Sequence, residues 1–146
     1  MTALARPPEG VGTDQLDAER EVRVGVDLVR VGDVAESVAR FGRRYLRRVF
    51  TEHEIACCQG EPSVAAAALA ARFAAKEATI KVLRPAGPRP DWRSMEVRRD
   101  PGGWCDMHLT GEAARMADAA GTESMAVSLS HEAGMAAAVV VAMCNK

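Results

Sequence analysis

Aromatic side chains are scarce in this chain of 146 residues, at 4%: two tryptophans, one tyrosine and three phenylalanines. With so few rings, stacking on the bases of a single-stranded nucleic acid has little to work with, and no nucleic-acid-binding module is recognisable. Only four cysteines occur, Cys57, Cys58, Cys105 and Cys144, in neither the paired spacing of a zinc knuckle nor the framework of a secreted disulfide scaffold. A reducing, cytoplasmic setting is the expectation. Long apolar runs are missing too. The longest, "GMAAAVVVAM", spans about half the roughly 20 residues a membrane helix needs. The first 20 residues hold Pro7, Pro8, Gly10 and Gly12 among charges and no apolar core of a signal peptide, so they read as a flexible extension before one domain over residues 21–146. A soluble protein that enters no membrane is expected.

Net charge is nearly balanced, at −1, but five arginines crowd into residues 40–48. The segment "EVRVGVDLVRV" alternates like a strand, with Val22, Val24, Val26 and Leu28 on one face, expected to be the core face, and Asp27 on the other. "GDVAESVARFGRRYLRRVF" has helical spacing, with Asp33 placed as its cap and Gly42 placed to bend or split it. "TEHE" carries a capping box from Thr51 to Glu54. An alanine-rich helix from about Val64 to Leu83 follows, stopped by Pro85. A hairpin turned at "DPGG", a helix ended by Gly121 and a second hairpin turned at "EAG" complete the chain. Strands grouped with helices in this order predict an α+β fold with an antiparallel sheet packed on the long helix.

The stretch "RFAAKEATIK" within that helix packs four charges into ten residues. At 100° per residue, Leu69, Phe73, Ile80 and Leu83 share one arc, Lys76 lands inside it and Glu77 lies at its edge. Two readings stay open: a snorkelling lysine with a favourable Glu77–Lys81 pair, or the chemical part of a site. Asp27 is similarly two-sided. Exposed, it needs nothing; covered by a helix, it needs a cation or hydrogen-bond donors. Together with Glu77 it would form an oxygen-only site suited to Mg²⁺, although spacing alone does not bring the two together.

"VGVDLVRV", "FTEHE", "ARFAAKEATIK" and "SLSH" follow one another in the order, and at roughly the separations, found in holo-acyl carrier protein synthases, the small class of 4′-phosphopantetheinyl transferases. The chain resembles that family from about Val22 to Ala142. The resemblance implies attack by a serine hydroxyl of an apo acyl carrier protein on the β-phosphate of coenzyme A, with adenosine 3′,5′-bisphosphate leaving. It also implies a homotrimer with coenzyme A in clefts between subunits. Matched position by position, Asp27 and Glu77 would hold Mg²⁺ and Lys81 would face the phosphates. Arg72 and Lys76 would line the coenzyme A cleft with Phe73 alongside, and His131 would contact the nucleotide. The alanines between them would leave room for ligand and a neighbouring subunit. The serine proton would pass to Glu77 or to a water held by the metal, and the sequence does not choose between them.

Arg40, Arg44 and Arg48, with Arg43 and Arg47 beside them, form one stripe if their segment stays helical. A solvated face and a nucleic-acid contact are the alternatives. Since acyl carrier proteins are acidic around their serine, the stripe with Tyr45 and Phe41 fits a carrier of fatty-acid or polyketide synthesis. Two departures from the family stand out. "VLRPAGPRPDW" replaces a short glycine-rich turn, leaving Arg84 or Arg89 to take over contacts to the adenine end of coenzyme A. Asp33 stands where relatives carry a basic residue. A non-catalytic carrier-binding homologue and a nucleotide phosphohydrolase are the competing functions.

Overall fold

A computed structural model describes residues 19–146. The expected extension lies outside the described residues up to position 18, and Arg20 already belongs to the first strand. Five strands and five helices follow in the order β1 (Arg20–Arg30), α1 (Val31–Phe41), α2 (Arg43–Val49), α3 (Glu52–Cys57), α4 (Pro62–Leu83), β2 (Met95–Arg99), β3 (Cys105–Leu109), α5 (Gly111–Ala119), β4 (Thr122–Glu132) and β5 (Met135–Asn145), with one 3-10 turn at Trp92–Ser94. β1, β5 and β4 pair antiparallel in that spatial order, while β2 and β3 form a separate hairpin. This is the α+β architecture that the sequence predicts. Among the described residues no helix is long and apolar enough to cross a membrane.

Local chemistry accounts for the joints. Gly42, at φ 57°, separates α1 from α2, because few other residues take that conformation without strain. Asp33 sits in the first turn of α1 and does not cap it; Arg30 is the N-cap, with no side-chain cap bond. Thr51 and Glu54 do form the capping box of α3. Pro62 opens α4, where its missing N–H costs nothing, and Arg84 closes it in the left-handed region. Ala133 and Gly134, at φ 51° and 78°, make the tight turn between β4 and β5 that right-twisted strands favour.

The core sits between α4 and the three-stranded sheet. Ala74, Ala75 and Ala78 of α4 are fully buried, as are Ala136 and Val140 of the central strand β5. Ala68 and Ala71 line a cavity, while these buried alanines let the chain's own sheet approach the helix. Gly25 belongs to the same contact, since a Cβ there would collide with the Ala78 carbonyl.

That packing reverses the expected orientation of β1. The face carrying Gly25, Asp27 and Val29 lies toward α4, while Val22, Val24, Val26 and Leu28 are 54–66% exposed. Val24 and Val26 lie beside Val141 and Val139 of β5, also exposed, so the outer face of β1 and β5 is a continuous apolar surface. Alternation correctly separates two faces of a strand, but it does not say which one a helix will cover.

Candidate active site

With β1 turned this way, Asp27 meets α4. Asp27 and Glu77, 50 positions apart in the chain, line one open cavity of about 570 Å³ together with Asp33, Ser37, Tyr45 and Phe73. Their side chains are 20% and 21% exposed. Lys81 Nζ lies 3.2 Å from Asp27 Oδ1 and donates to the Val26 carbonyl at 2.7 Å. Arg89 Nη1 lies 3.5 Å from Glu77 Oε1. Glu77 follows Phe73 by four positions on α4, which puts both on the same side of the helix. The structure thus brings Asp27, Glu77, Lys81 and Phe73 to one place.

Arg72 and His131 meet elsewhere. They line a second cavity of about 260 Å³, walled by Ser128 and Leu129 of β4 and by Arg99, Gly103 and Trp104 of the β2–β3 hairpin. Helix geometry explains the separation, because Arg72 and Glu77 are five residues and so about 140° apart around α4. Arg72 Nη1 donates to the Ala68 carbonyl at 3.2 Å, whereas its buried Nε has no partner. Arg99 and Trp104 escape the sequence reading, since only the folding back of a hairpin brings them to Arg72. Trp104, 77% exposed at a turn, is the one hint in that direction.

Lys76 does not line either cavity. It is completely buried, and its Nζ donates to Glu54 Oε1 at 2.6 Å, to the Met95 carbonyl at 2.6 Å and to the Trp92 carbonyl at 3.0 Å. The expected place in a coenzyme A cleft is corrected accordingly. Three acceptors exhaust the three donors of its ammonium. Glu54 is equally buried and also accepts from the Thr51 and Val97 amides at 3.0 Å each. Its cap role holds, and it is at the same time the counter-charge of Lys76. Burial holds the Lys76 pKa below its ordinary value, opposed by the attraction of Glu54.

The arginine stripe is not continuous. Arg40 lies in the last turn of α1, and Arg43, Arg44 and Arg48 lie on α2 beyond the break at Gly42, all of them exposed. Arg40 lies 5.4 Å from the Phe41 ring, which is itself exposed. Tyr45 turns inward, packs edge-on against Phe50 with ring centroids 6.1 Å apart, and forms part of the Asp27–Glu77 cavity wall. Burial raises its phenol pKa above the usual 10.0. Arg84 lies 3.6 Å from Glu21 and, with Arg23 and Met116, borders a third cavity of about 400 Å³ under the loop at Pro85–Pro88.

Residues 23–140 match the model of the 4′-phosphopantetheinyl transferase superfamily. The chain belongs to that family. A holo-[acyl-carrier-protein] synthase of Chloroflexus aggregans is 45% identical over 129 residues, covering 81% of this chain and 92% of its own. Among solved structures, the fold is similar to a Chronobacterium ammoniagenes synthase in complex with coenzyme A, at TM-score 0.73 and 30% identity over 86% of this chain and 98% of that one. It is also similar to the Mycobacterium tuberculosis acyl carrier protein synthase, at TM-score 0.63 and 37% identity over 82% and 95% of the two chains. Membership in this transferase family accords with an acidic cleft opposed by lysine and arginine.

Proposed function

We propose that this chain transfers 4′-phosphopantetheine from coenzyme A to a serine of an apo acyl carrier protein, as a holo-acyl carrier protein synthase. The observation that carries the reading is that Asp27 and Glu77 share one cavity, with Lys81 bonded to Asp27 beside it, in a chain of this family. The serine oxygen forms a bond to the β-phosphorus of coenzyme A. The phosphoanhydride bond on the adenosine side breaks, adenosine 3′,5′-bisphosphate departs and the hydroxyl proton passes to Glu77 or to water.

Mg²⁺ fits the cleft chemically. Asp27 and Glu77 offer two hard carboxylates, and among the described residues no group of three or more His, Cys, Asp or Glu could hold a metal ion by itself. Mg²⁺ ordinarily takes one or two carboxylates and completes its shell with water and substrate phosphate. When bound, it would supply positive charge against the pyrophosphate. Lys81, anchored on the Val26 carbonyl, is set to bind a phosphate oxygen and stabilise charge developing on the leaving group. Phe73 and Tyr45 form part of the cleft wall. Exposed Arg40, Arg43, Arg44 and Arg48 would steer an acidic carrier toward the cleft mouth.

A homotrimer with sites between subunits completes this reading. The apolar outer face of Val22, Val24, Val26 and Leu28 is costly to leave in water, which supports burial against a second copy. Arg72 and His131 open on another side of α4 from Glu77. A neighbouring copy can therefore supply that basic cavity to the nucleotide end of coenzyme A bound at the first. A cytoplasmic setting, where carriers and coenzyme A meet, follows from the same function.

The test mixes the full chain with apo carrier, coenzyme A and Mg²⁺ and looks by mass spectrometry for the phosphopantetheinyl adduct. An adduct is expected on at least one carrier of a fatty-acid and polyketide panel. No adduct on any of them overturns the proposal.

A further inference from the structure

The proline-rich loop after α4 is anchored at several points. Pro90 is buried, and the Asp91 amide donates to Glu112 Oε2 at 2.7 Å. The Trp92 carbonyl accepts from buried Lys76, and the Trp92 ring lies on Phe73 with centroids 5.2 Å apart. This brings the chain back along α4. The Arg89 guanidinium is thereby held 5.9 Å from the Trp92 ring centroid, with Nη1 3.5 Å from Glu77 Oε1. Asp27 and Glu77 are thus each matched by a mostly exposed cation: Asp27 by Lys81, 52% exposed, and Glu77 by Arg89, 63% exposed.

We propose that Arg89 is a displaceable counter-ion of Glu77. It neutralises the carboxylate in the substrate-free enzyme, yields it to an incoming divalent cation, and moves to the pyrophosphate of coenzyme A. The inference rests on Asp27 and Glu77 being the metal-holding pair. Three physical points carry it. An exposed pair at 3.5 Å is weak enough to open readily. A guanidinium beside Glu77 repels a divalent cation approaching the same oxygen, so the two compete. A pyrophosphate offers a guanidinium more charge and better two-point geometry than one carboxylate does. The Trp92 face keeps the freed side chain close, since a cation over an aromatic ring is attracted to it.

Mn²⁺ alone, titrated against the full chain and followed by electron paramagnetic resonance, tests the competition without any turnover. Arg89→Ala is expected to bind Mn²⁺ about two- to fivefold tighter than the parent in the absence of coenzyme A. At saturating Mn²⁺ the same variant is expected to bind coenzyme A about tenfold more weakly by calorimetry, with Arg89→Lys in between. Glu77→Gln is expected to lose Mn²⁺ binding. If Arg89→Ala leaves Mn²⁺ affinity unchanged while Glu77→Gln loses it, the counter-ion role is overturned and the metal assignment stands. Tighter Mn²⁺ with unchanged coenzyme A affinity overturns the transfer of Arg89 to phosphate. If Glu77→Gln binds Mn²⁺ like the parent, the metal assignment fails and the proposal falls with it. Arg89 is exposed, and thermal melting of the variants is the check that they remain folded.

Discussion

Lys76→Met separates a structural lysine from a ligand-binding one. Methionine keeps most of the apolar stem but removes the ammonium, leaving the Glu54 carboxylate buried with only the Thr51 and Val97 amides as donors. The Trp92 and Met95 carbonyls lose their lysine donor at the same time. Removing one partner of a buried ion pair costs about 3–5 kcal/mol. That is a large share of the roughly 5–15 kcal/mol by which a domain is stable. At about 4 °C per kcal/mol for a chain of this size, the melting temperature should fall by about 12–20 °C. Calorimetric melting at fixed protein concentration measures this, the concentration being held because association shifts the midpoint. Glu54→Gln should cost a comparable amount, about 3–5 kcal/mol, because it leaves the buried ammonium without its counter-charge and replaces one of two accepting oxygens by an NH2 group that faces a donor. A Lys76→Met protein that melts within about 3 °C of the parent but binds coenzyme A poorly would refute the burial argument and return Lys76 to the ligand cleft.

Three further outcomes are expected. Val26→Asp puts a charge on the exposed apolar face of β1 and should convert the proposed homotrimer to monomers in sedimentation velocity; an unchanged sedimentation coefficient would remove that face as the proposed subunit contact. Tyr45 is the single tyrosine of the chain, so its ionisation can be followed by ultraviolet absorbance without overlap. Because burial raises its folded pKa above 10.0, its contribution to stability is full below that value and is lost as pH rises through the folded pKa. The midpoint should drop to the ordinary value in denaturant, and equal midpoints in both states would contradict the packing on Phe50. Among the cysteines, exposed Cys57 should react first with a thiol reagent, whereas Cys58 is buried and its pKa is pushed up to about 11. A Cys57→Ser variant that keeps the fast phase would contradict this.

Much of the architecture is legible because its signals act over a few residues. Gly42, the Thr51–Glu54 box, Pro62 and the Ala133–Gly134 turn each work through local dihedrals or a bond spanning three positions. The site is legible only in part. Helical angles put Lys76 in the apolar arc, but whether such a lysine snorkels, binds ligand or is buried depends on an acid at position 54, which helical periodicity does not connect to it. The orientation of β1 failed for a related reason. Its valines signal burial without saying whether the cover is a helix of the same chain or another molecule, and Gly25 was the better indicator of the face that a helix approaches closely.

The sequence by itself determined the elements, their turns and the family, since propensity, capping and motif spacing are properties of neighbouring residues. The tertiary structure alone decided which charges meet. Asp27 faces Lys81 and shares a cavity with Glu77, Lys76 is bound to Glu54, and Arg89 reaches Glu77 over the Trp92 ring. Each of these contacts depends on burial and counter-charge supplied by a segment brought back by the fold, across 12 positions for Arg89 and Glu77 and 54 for Lys81 and Asp27. No periodicity within one helix or strand records where such a segment will land.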